Sequence, residues 1–270
     1  MKDLTFSAST LKGTVKVPPS KSLAHRAIIC ASLCCGKSRI SGLQYSEDIK
    51  ATIGVMRAVG ADIELNADVA EIKGSAGVDC NTEAFCNESG STLRMCLPVC
   101  AALNRGFTHF TGRGKLGARP MTVFEEIWKN AGLFYKDESA NTGSLDLTVK
   151  GALPAGSYRV RGDVSSQFIS GLLFALPLAD GDSVIELTTP LYSKGYVDLT
   201  LQALAEAGVD VSFDGERNFY IKGNQSYLPC DREVEGDWSQ AAFFMVADAI
   251  GSDIKINGLN AKSAQGDKVI

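Results

Sequence analysis

Residues Pro18 to Arg26, Pro-Pro-Ser-Lys-Ser-Leu-Ala-His-Arg, set two cations close behind two prolines and two serines. The prolines fix φ and end whatever precedes them, and either serine is a favoured N-cap, so the spacing predicts a helix that starts here. Lys21 and Arg26 then fall in its first turns. Free N–H groups there already carry roughly half a positive charge, and each added cation costs about 0.3–1 kcal/mol. An anion resolves the conflict: a phosphate can rest on the N–H groups and be clamped by Lys21 and Arg26. The plain alternative is a solvated basic cap on a surface helix. Ala27 to Cys35 is apolar all round, however, which predicts a buried helix whose charged mouth opens into a cleft.

Composition narrows the partners. The chain has 270 residues, a net charge of -4, 45% hydrophobic residues and 27 glycines. That describes one large or two ordinary globular domains, without the basic excess of a nucleic-acid binder. Met1-Lys2-Asp3 leads straight into strand-like sequence and no apolar run approaches the ~20 residues of a membrane span. The expectation is a cytoplasmic chain with neither nucleic acid nor membrane as partner. Eight cysteines include the adjacent pair Cys34-Cys35 and two in an apolar helix, Cys96 and Cys100, with no CxxC pair and only His25 and His109 beside them. Buried reduced thiols are expected, and no metal site.

The elements that must carry the Pro18–Arg26 motif repeat along the chain. Residues 3–17 alternate apolar and polar and read as one or two strands. The apolar helix to Cys35 is followed by a strand at 38–43, an amphipathic helix over about 48–59, Gly60 and a strand from Ala61. Ser89-Gly90-Ser91-Thr92-Leu93-Arg94 opens a second apolar helix to Leu103. A strand at 107–110, a helix at about 121–131, Gly132 and a strand at 133–136 follow it. Ser165-Ser166-Gln167-Phe168 opens a third to about Leu176, followed by a strand at 183–187, a helix at about 196–207, Gly208 and a strand at 209–213. The stop glycines lie 72 and 76 residues apart, the mark of an internal duplication.

Each unit buries one helix and exposes another beside mixed strands, which predicts an α/β layer fold (α+β layers) with internal three-fold symmetry. Symmetry would turn the mouths of the buried helices toward one ligand space, although any single serine there could be an N-cap and nothing more. A fourth unit starts at Asp237-Trp238-Ser239-Gln240 with an apolar helix to Ile250 and a strand at 253–258, and acquires no second helix before Ile270. Such a half-unit leaves an apolar helix uncovered, so the sequence is expected to be a fragment, or the front part of a two-domain protein. The chain would cross between domains at 12–19 and again at 233–237.

Lys21-Ser22-Leu23-Ala24-His25-Arg26, the loop from Gly112 to Pro120, Ser165-Ser166-Gln167-Phe168, Ser193-Lys194-Gly195-Tyr196 and the closing Gln265-Gly266-Asp267 together resemble the EPSP synthase family. The resemblance runs from near residue 10 to the end of the sequence. It implies an enolpyruvyl transferase fold of repeated βαβαββ units in two domains, the second only partly present. Residues 1–17 would belong to that second domain, 18–234 to the first, with repeats at about 18–83, 84–155 and 156–234, and 235–270 to the start of the second. The implied activity is a transferase reaction of the shikimate pathway toward chorismate and the aromatic amino acids. It moves the enolpyruvyl group of phosphoenolpyruvate to the 5-hydroxyl of shikimate 3-phosphate and releases phosphate, without metal or organic cofactor.

By the same resemblance Lys21, Ser22, Arg26, Ser165, Ser166, Gln167, Ser193 and Tyr196 would hold shikimate 3-phosphate. Lys21, Gly90, Arg119 and Gln167 would hold phosphoenolpyruvate, Gly90 through an N–H that only a missing side chain leaves approachable. Arg119 has a surface ion pair as its plain alternative, Tyr196 a core position, and Arg94 and Lys194 read as structural ion partners. The acid–base groups of the reaction would follow Ile270, so the catalytic residues are not assigned, the 270-residue chain alone would be inactive, and the full-length form would be a monomer. Glu88 departs from the family's Asn-Ala-Gly-Thr pattern and places a carboxylate where an amide is usual. A related enzyme acting on UDP-N-acetylglucosamine shares the Gly-Ala-Arg-Pro loop but carries a cysteine where Gly114 stands and Lys-Asn where Lys21-Ser22 stands. A non-catalytic module that binds phosphoshikimate is the other alternative.

Overall fold

The structure, a computed structural model, describes residues 9–269; the part of the expected first strand at 3–8 lies outside them. In chain order β1 (Lys12–Lys16) leads into α1 (Lys21–Leu33), β2 (Lys37–Ser41), α2 (Glu47–Ala58), β3 (Asp62–Asn66) and β4 (Val69–Lys73). The next stretch holds β5 (Thr82–Phe85), α3 (Gly90–Leu103), β6 (Thr108–Thr111), α4 (Thr122–Asn130), β7 (Phe134–Asp137), the short α5 (Ser139–Thr142) and β8 (Asp146–Lys150). The third holds β9 (Ser157–Val160), α6 (Ser166–Ala175), β10 (Ser183–Leu187), α7 (Lys194–Glu206), β11 (Val211–Phe213) and β12 (Asn218–Ile221). Then come β13 (Arg232–Glu233), α8 (Trp238–Ala249) and β14 (Asp253–Asn257).

Three four-stranded sheets share one plan, β13-β2-β4-β3, β5-β6-β8-β7 and β9-β10-β12-β11. In each the first pair is parallel and the next two are antiparallel. The second and third units are therefore continuous βαβαββ runs. The first takes its leading strand from Arg232 and Glu233, because its own upstream strand β1 pairs in parallel with β14 instead. The second unit opens at Thr82, two residues ahead of the expected repeat boundary. Gly60, Gly132 and Gly208 end the outer helices at φ of +99°, +68° and +74°, the left-handed stop that only glycine adopts freely.

The apolar helices are buried as their composition demands: eleven residues of α1, from Leu23 to Leu33, lie inside. Helix α1 packs against α2 and α7, α3 against α2 and α6, and α6 against α7. Close contact between α3 and α6 depends on Gly171, where a Cβ would come within 2.4 Å of the Arg94 carbonyl oxygen. That approach sets two helix mouths side by side. By contrast α8 buries only Ala241, leaving Phe243, Val246 and Ile250 exposed.

Candidate functional site

Helices α1, α6 and α7 turn their N-termini toward one cavity of about 410 Å³. Its walls are Lys21, Ser22, His25 and Arg26 from α1, Ser91 and Met95 from α3, Val164 to Gln167 at the start of α6, and Ser193 and Tyr196 at the start of α7. All eight residues expected to hold shikimate 3-phosphate meet here. Among the described residues no carboxylate lines the cavity, and five serines and two cations line it together, a donor set suited to an anion.

Arg26 is almost fully buried and fixed from three sides. Its Nε donates to Thr200 Oγ1 at 2.9 Å, Nη1 to the Ser22 carbonyl at 2.7 Å and Nη2 to the Tyr196 carbonyl at 2.7 Å. A guanidinium has five N–H groups, so each terminal nitrogen keeps one N–H beyond these bonds. Burial pulls its pKa down to about 10, which leaves it charged at neutral pH. Lys21 differs: its half-exposed ammonium sits 2.6 Å from Asp48 Oδ2 at the start of α2. Asp48 is the cation's partner.

The N-cap serines play unequal parts. Ser165 Oγ accepts the Gln167 N–H at 3.3 Å and Ser89 Oγ accepts that of Thr92 at 3.2 Å. Ser20 makes no side-chain cap, and its own N–H is held by the Glu235 carbonyl at 2.8 Å. Ser193 takes a left-handed φ of +56° with no capping bond, so its hydroxyl is not spent on the helix. Tyr196 is 42% exposed, a wall of the cavity rather than a core ring. With Ser22 it also borders a second cavity of about 280 Å³, closed by Asp237, Gln265 and Asp267.

Gly90 and Arg119 form a neighbouring corner: a Cβ on Gly90 would lie 2.3 Å from Arg119 Nη1. The corner joins the cavity through Ser91, which accepts a 2.8 Å hydrogen bond from Gln167 Nε2. Arg94 is not the ion partner its sequence suggests. It donates to the Pro120 carbonyl at 3.0 Å and to Gln167 Oε1 at 3.4 Å, with its guanidinium 4.8 Å over the Phe168 ring. Burial and the charge of Arg119 both lower its pKa. Lys194 does pair, with Asp198 at 2.6 Å. The Glu88 carboxylate lies against Gly114, where a Cβ would meet Oε1 at 2.3 Å, so it folds onto the Gly112–Pro120 loop.

Comparison with known proteins completes the description. The family profile described as EPSP synthase (3-phosphoshikimate 1-carboxyvinyltransferase) matches residues 7–270. The chain belongs to the EPSP synthase family. It is 49% identical over 266 residues to a 3-phosphoshikimate 1-carboxyvinyltransferase of Clostridium botulinum (strain Alaska E43 / Type E3), covering 96% of this chain and 60% of the relative. It is 48% identical to one of Clostridium kluyveri, covering 100% of this chain and 63% of the relative. The chain thus spans about three fifths of the length of these curated relatives. A solved EPSP synthase of Acinetobacter baumannii superposes with a TM-score of 0.76 at 26% identity, over 93% of this chain and 56% of that one. The enolpyruvyl transferase NikO of Streptomyces tendae shares the fold with a TM-score of 0.66 at 16% identity, over 92% of this chain and 57% of that one. The architecture is the α/β fold of the enolpyruvyl transferases. Among the described residues no helix is long and apolar enough to cross a membrane.

Several residues of the site escape sequence reasoning. Asp48, Thr52, Thr92 and Thr200 sit on helices as ordinary polar positions, and nothing local marks their partners. His25 is the exception: it stands inside the opening motif, and its position one turn after Lys21 puts it on the same helix face.

Proposed function

We propose that this chain supplies the shikimate 3-phosphate half of an enolpyruvyl transfer site. The 5-hydroxyl oxygen of that ligand gives up its proton and adds to C2 of phosphoenolpyruvate while a proton goes to its methylene carbon, and the tetrahedral ketal then loses phosphate together with a proton of the new methyl group, which restores the double bond. Lys21, Arg26, Ser165 and Ser166 neutralise and orient the anionic ligand, with Ser22, Gln167, Ser193 and Tyr196 closing around it. Gly90 and Arg119, with Lys21 and Gln167, receive phosphoenolpyruvate. The observation that carries this reading is the cavity into which the starts of α1, α3, α6 and α7 bring two cations and five serines, with no carboxylate among the described residues that line it.

Residues 18–234 are read as one domain, with 1–17 and 235–270 belonging to a second. The parallel pairing of β1 with β14, apart from the three larger sheets, supports that division. Proton transfer is assigned to groups outside this chain, so the 270 residues alone bind without turnover, in the cytoplasm and as a monomer in the full-length form.

Calorimetry on the purified chain tests the reading. Shikimate 3-phosphate should bind, shikimate without the phosphate should bind at least roughly tenfold more weakly, and UDP-N-acetylglucosamine should give no heat. Absence of shikimate 3-phosphate binding would overturn the assignment, and release of phosphate from both substrates by the chain alone would overturn the claim of inactivity.

A further inference from the structure

From the cavity wall at His25 a buried polar chain runs inward to Thr92, and the ligand roles above do not explain it. His25 Nδ1 lies 2.7 Å from Thr52 Oγ1, Thr52 Oγ1 lies 2.8 Å from Thr92 Oγ1, and Thr92 Oγ1 reaches the Asp48 carbonyl at 3.2 Å. All three side chains are at most 1% exposed. Lys21 and His25 are one turn apart on α1, as are Asp48 and Thr52 on α2. The ion pair Lys21–Asp48 and the bond His25–Thr52 are therefore successive rungs between the two helices, and Thr92 of α3 braces both.

Proton order follows from the end of the chain. The Thr92 hydroxyl proton has two acceptors, Ser89 Oγ at 2.8 Å and the Asp48 carbonyl at 3.2 Å, so Thr92 donates away from Thr52, Thr52 donates to Thr92, and His25 Nδ1–H donates to Thr52. Nε2 is then a bare lone pair, buried with no hydrogen-bond partner among the described residues. A second proton on the ring would find no acceptor there. Burial, with Arg26 next to it, keeps the imidazole neutral, its pKa lowered to about 3.

We propose that His25 is a positioning residue whose bond to Thr52 fixes the register of α1 against α2, and so sets the Lys21 ammonium at the cavity rim with Asp48 as its stand-in partner. The rung matters because Lys21 is half-exposed and its stem is flexible, so the helix register, not its own packing, determines where the charge rests. Its value to the ligand rests on the functional reading above; the placement of Lys21 does not.

Two readouts separate these. Acetylation of Lys21 by dilute acetic anhydride, followed by mass spectrometry of the folded chain, reports on the Lys21–Asp48 contact without any ligand. His25→Leu and Thr52→Val should speed Lys21 acetylation several-fold, while His25→Asn, which keeps a donor at the place of Nδ1, and Thr52→Ser should leave it at the wild-type rate. Calorimetry with shikimate 3-phosphate should show about a tenfold loss for the first pair and little for the second, the scale of one hydrogen bond to a charged group. Unchanged Lys21 reactivity in both His25→Leu and Thr52→Val overturns the proposal. Loss in His25→Asn equal to that in His25→Leu overturns it as well. If the wild-type chain binds no shikimate 3-phosphate, the functional reading fails and the acetylation rates still decide the role of His25.

Discussion

Arg119 occupies the space that a side chain at Gly90 would fill, its Nη1 being 2.3 Å from where that Cβ would stand. Gly90→Ala therefore acts by moving a guanidinium. The obstructing atom is the far end of an exposed side chain, which can swing away, and alanine is favoured over glycine in a helix by about 1 kcal/mol. Thermal stability should change little. On the role proposed for Arg119, phosphoenolpyruvate binding to the chain saturated with shikimate 3-phosphate should weaken about tenfold when the guanidinium is displaced. A calorimetric constant equal to wild type would show that Arg119 does not touch that ligand.

His25 also makes stability depend on pH. Its folded pKa of about 3 lies below the unfolded value of 6.5, so the native state binds fewer protons. Its contribution is complete above about pH 6.5 and is lost as pH falls toward 3, amounting to roughly 2 kcal/mol of loss by pH 5. Asp163, held down to about 2 chiefly by the hydrogen bond from Arg161, responds only at lower pH. Urea midpoints should fall between about pH 6.5 and 5 in the wild type and fall much less in His25→Asn. Parallel slopes in the two proteins would remove His25 as the cause.

The helix mouths were legible because each violates a local rule. Lys21 and Arg26 put charge where a helix start repels it, and Ser89-Gly90-Ser91 and Ser165-Ser166 each offer a hydroxyl beyond the one that caps the helix, Ser89 and Ser165 being the caps. The stop glycines were legible because only the left-handed turn demands them. Strand β4 was not, since its hairpin with β3 turns through Ala67 at φ +49°, where the sequence offers no glycine to announce it. Strand β13 is two residues long and pairs with Ile40 and Ser41, a contact that no local pattern encodes. Arg94 differs for a related reason: its partners are a ring and an amide from α6 and a carbonyl from the Gly112–Pro120 loop, whereas the lone charge suggests an acid.

The thiols differ in a way that a titration can count. Cys35 and Cys80 are exposed, Cys230 is half-buried, and Cys30, Cys34, Cys86, Cys96 and Cys100 are buried, all of them free. Burial raises the pKa of Cys96 to about 12 and pushes Cys30, Cys86 and Cys100 up as well, so their reactive thiolate is scarce. An aromatic disulfide reagent should modify Cys35 and Cys80 first and Cys230 more slowly, and reach the other five only on unfolding. Mass mapping of early adducts on Cys96 or Cys100 would contradict the packing of α3.

Thr200 offers the sharpest separation of fold from site. Its hydroxyl accepts Arg26 Nε, lies 2.7 Å from Ser170 Oγ and donates to the Tyr196 carbonyl at 3.1 Å, all in the buried seam where α1, α6 and α7 meet. Thr200→Val keeps the volume and removes the acceptor, leaving a buried charged N–H unpaired at a cost of about 1–3 kcal/mol. Thr200→Ser keeps the hydroxyl and loses only a methyl group. The valine variant should melt lower and bind shikimate 3-phosphate at least roughly tenfold more weakly, because Arg26 loses the bond that fixes its plane. The serine variant should retain affinity. If valine lowers the melting temperature and leaves affinity intact, Arg26 serves the packing of α1 against α7 and not the ligand.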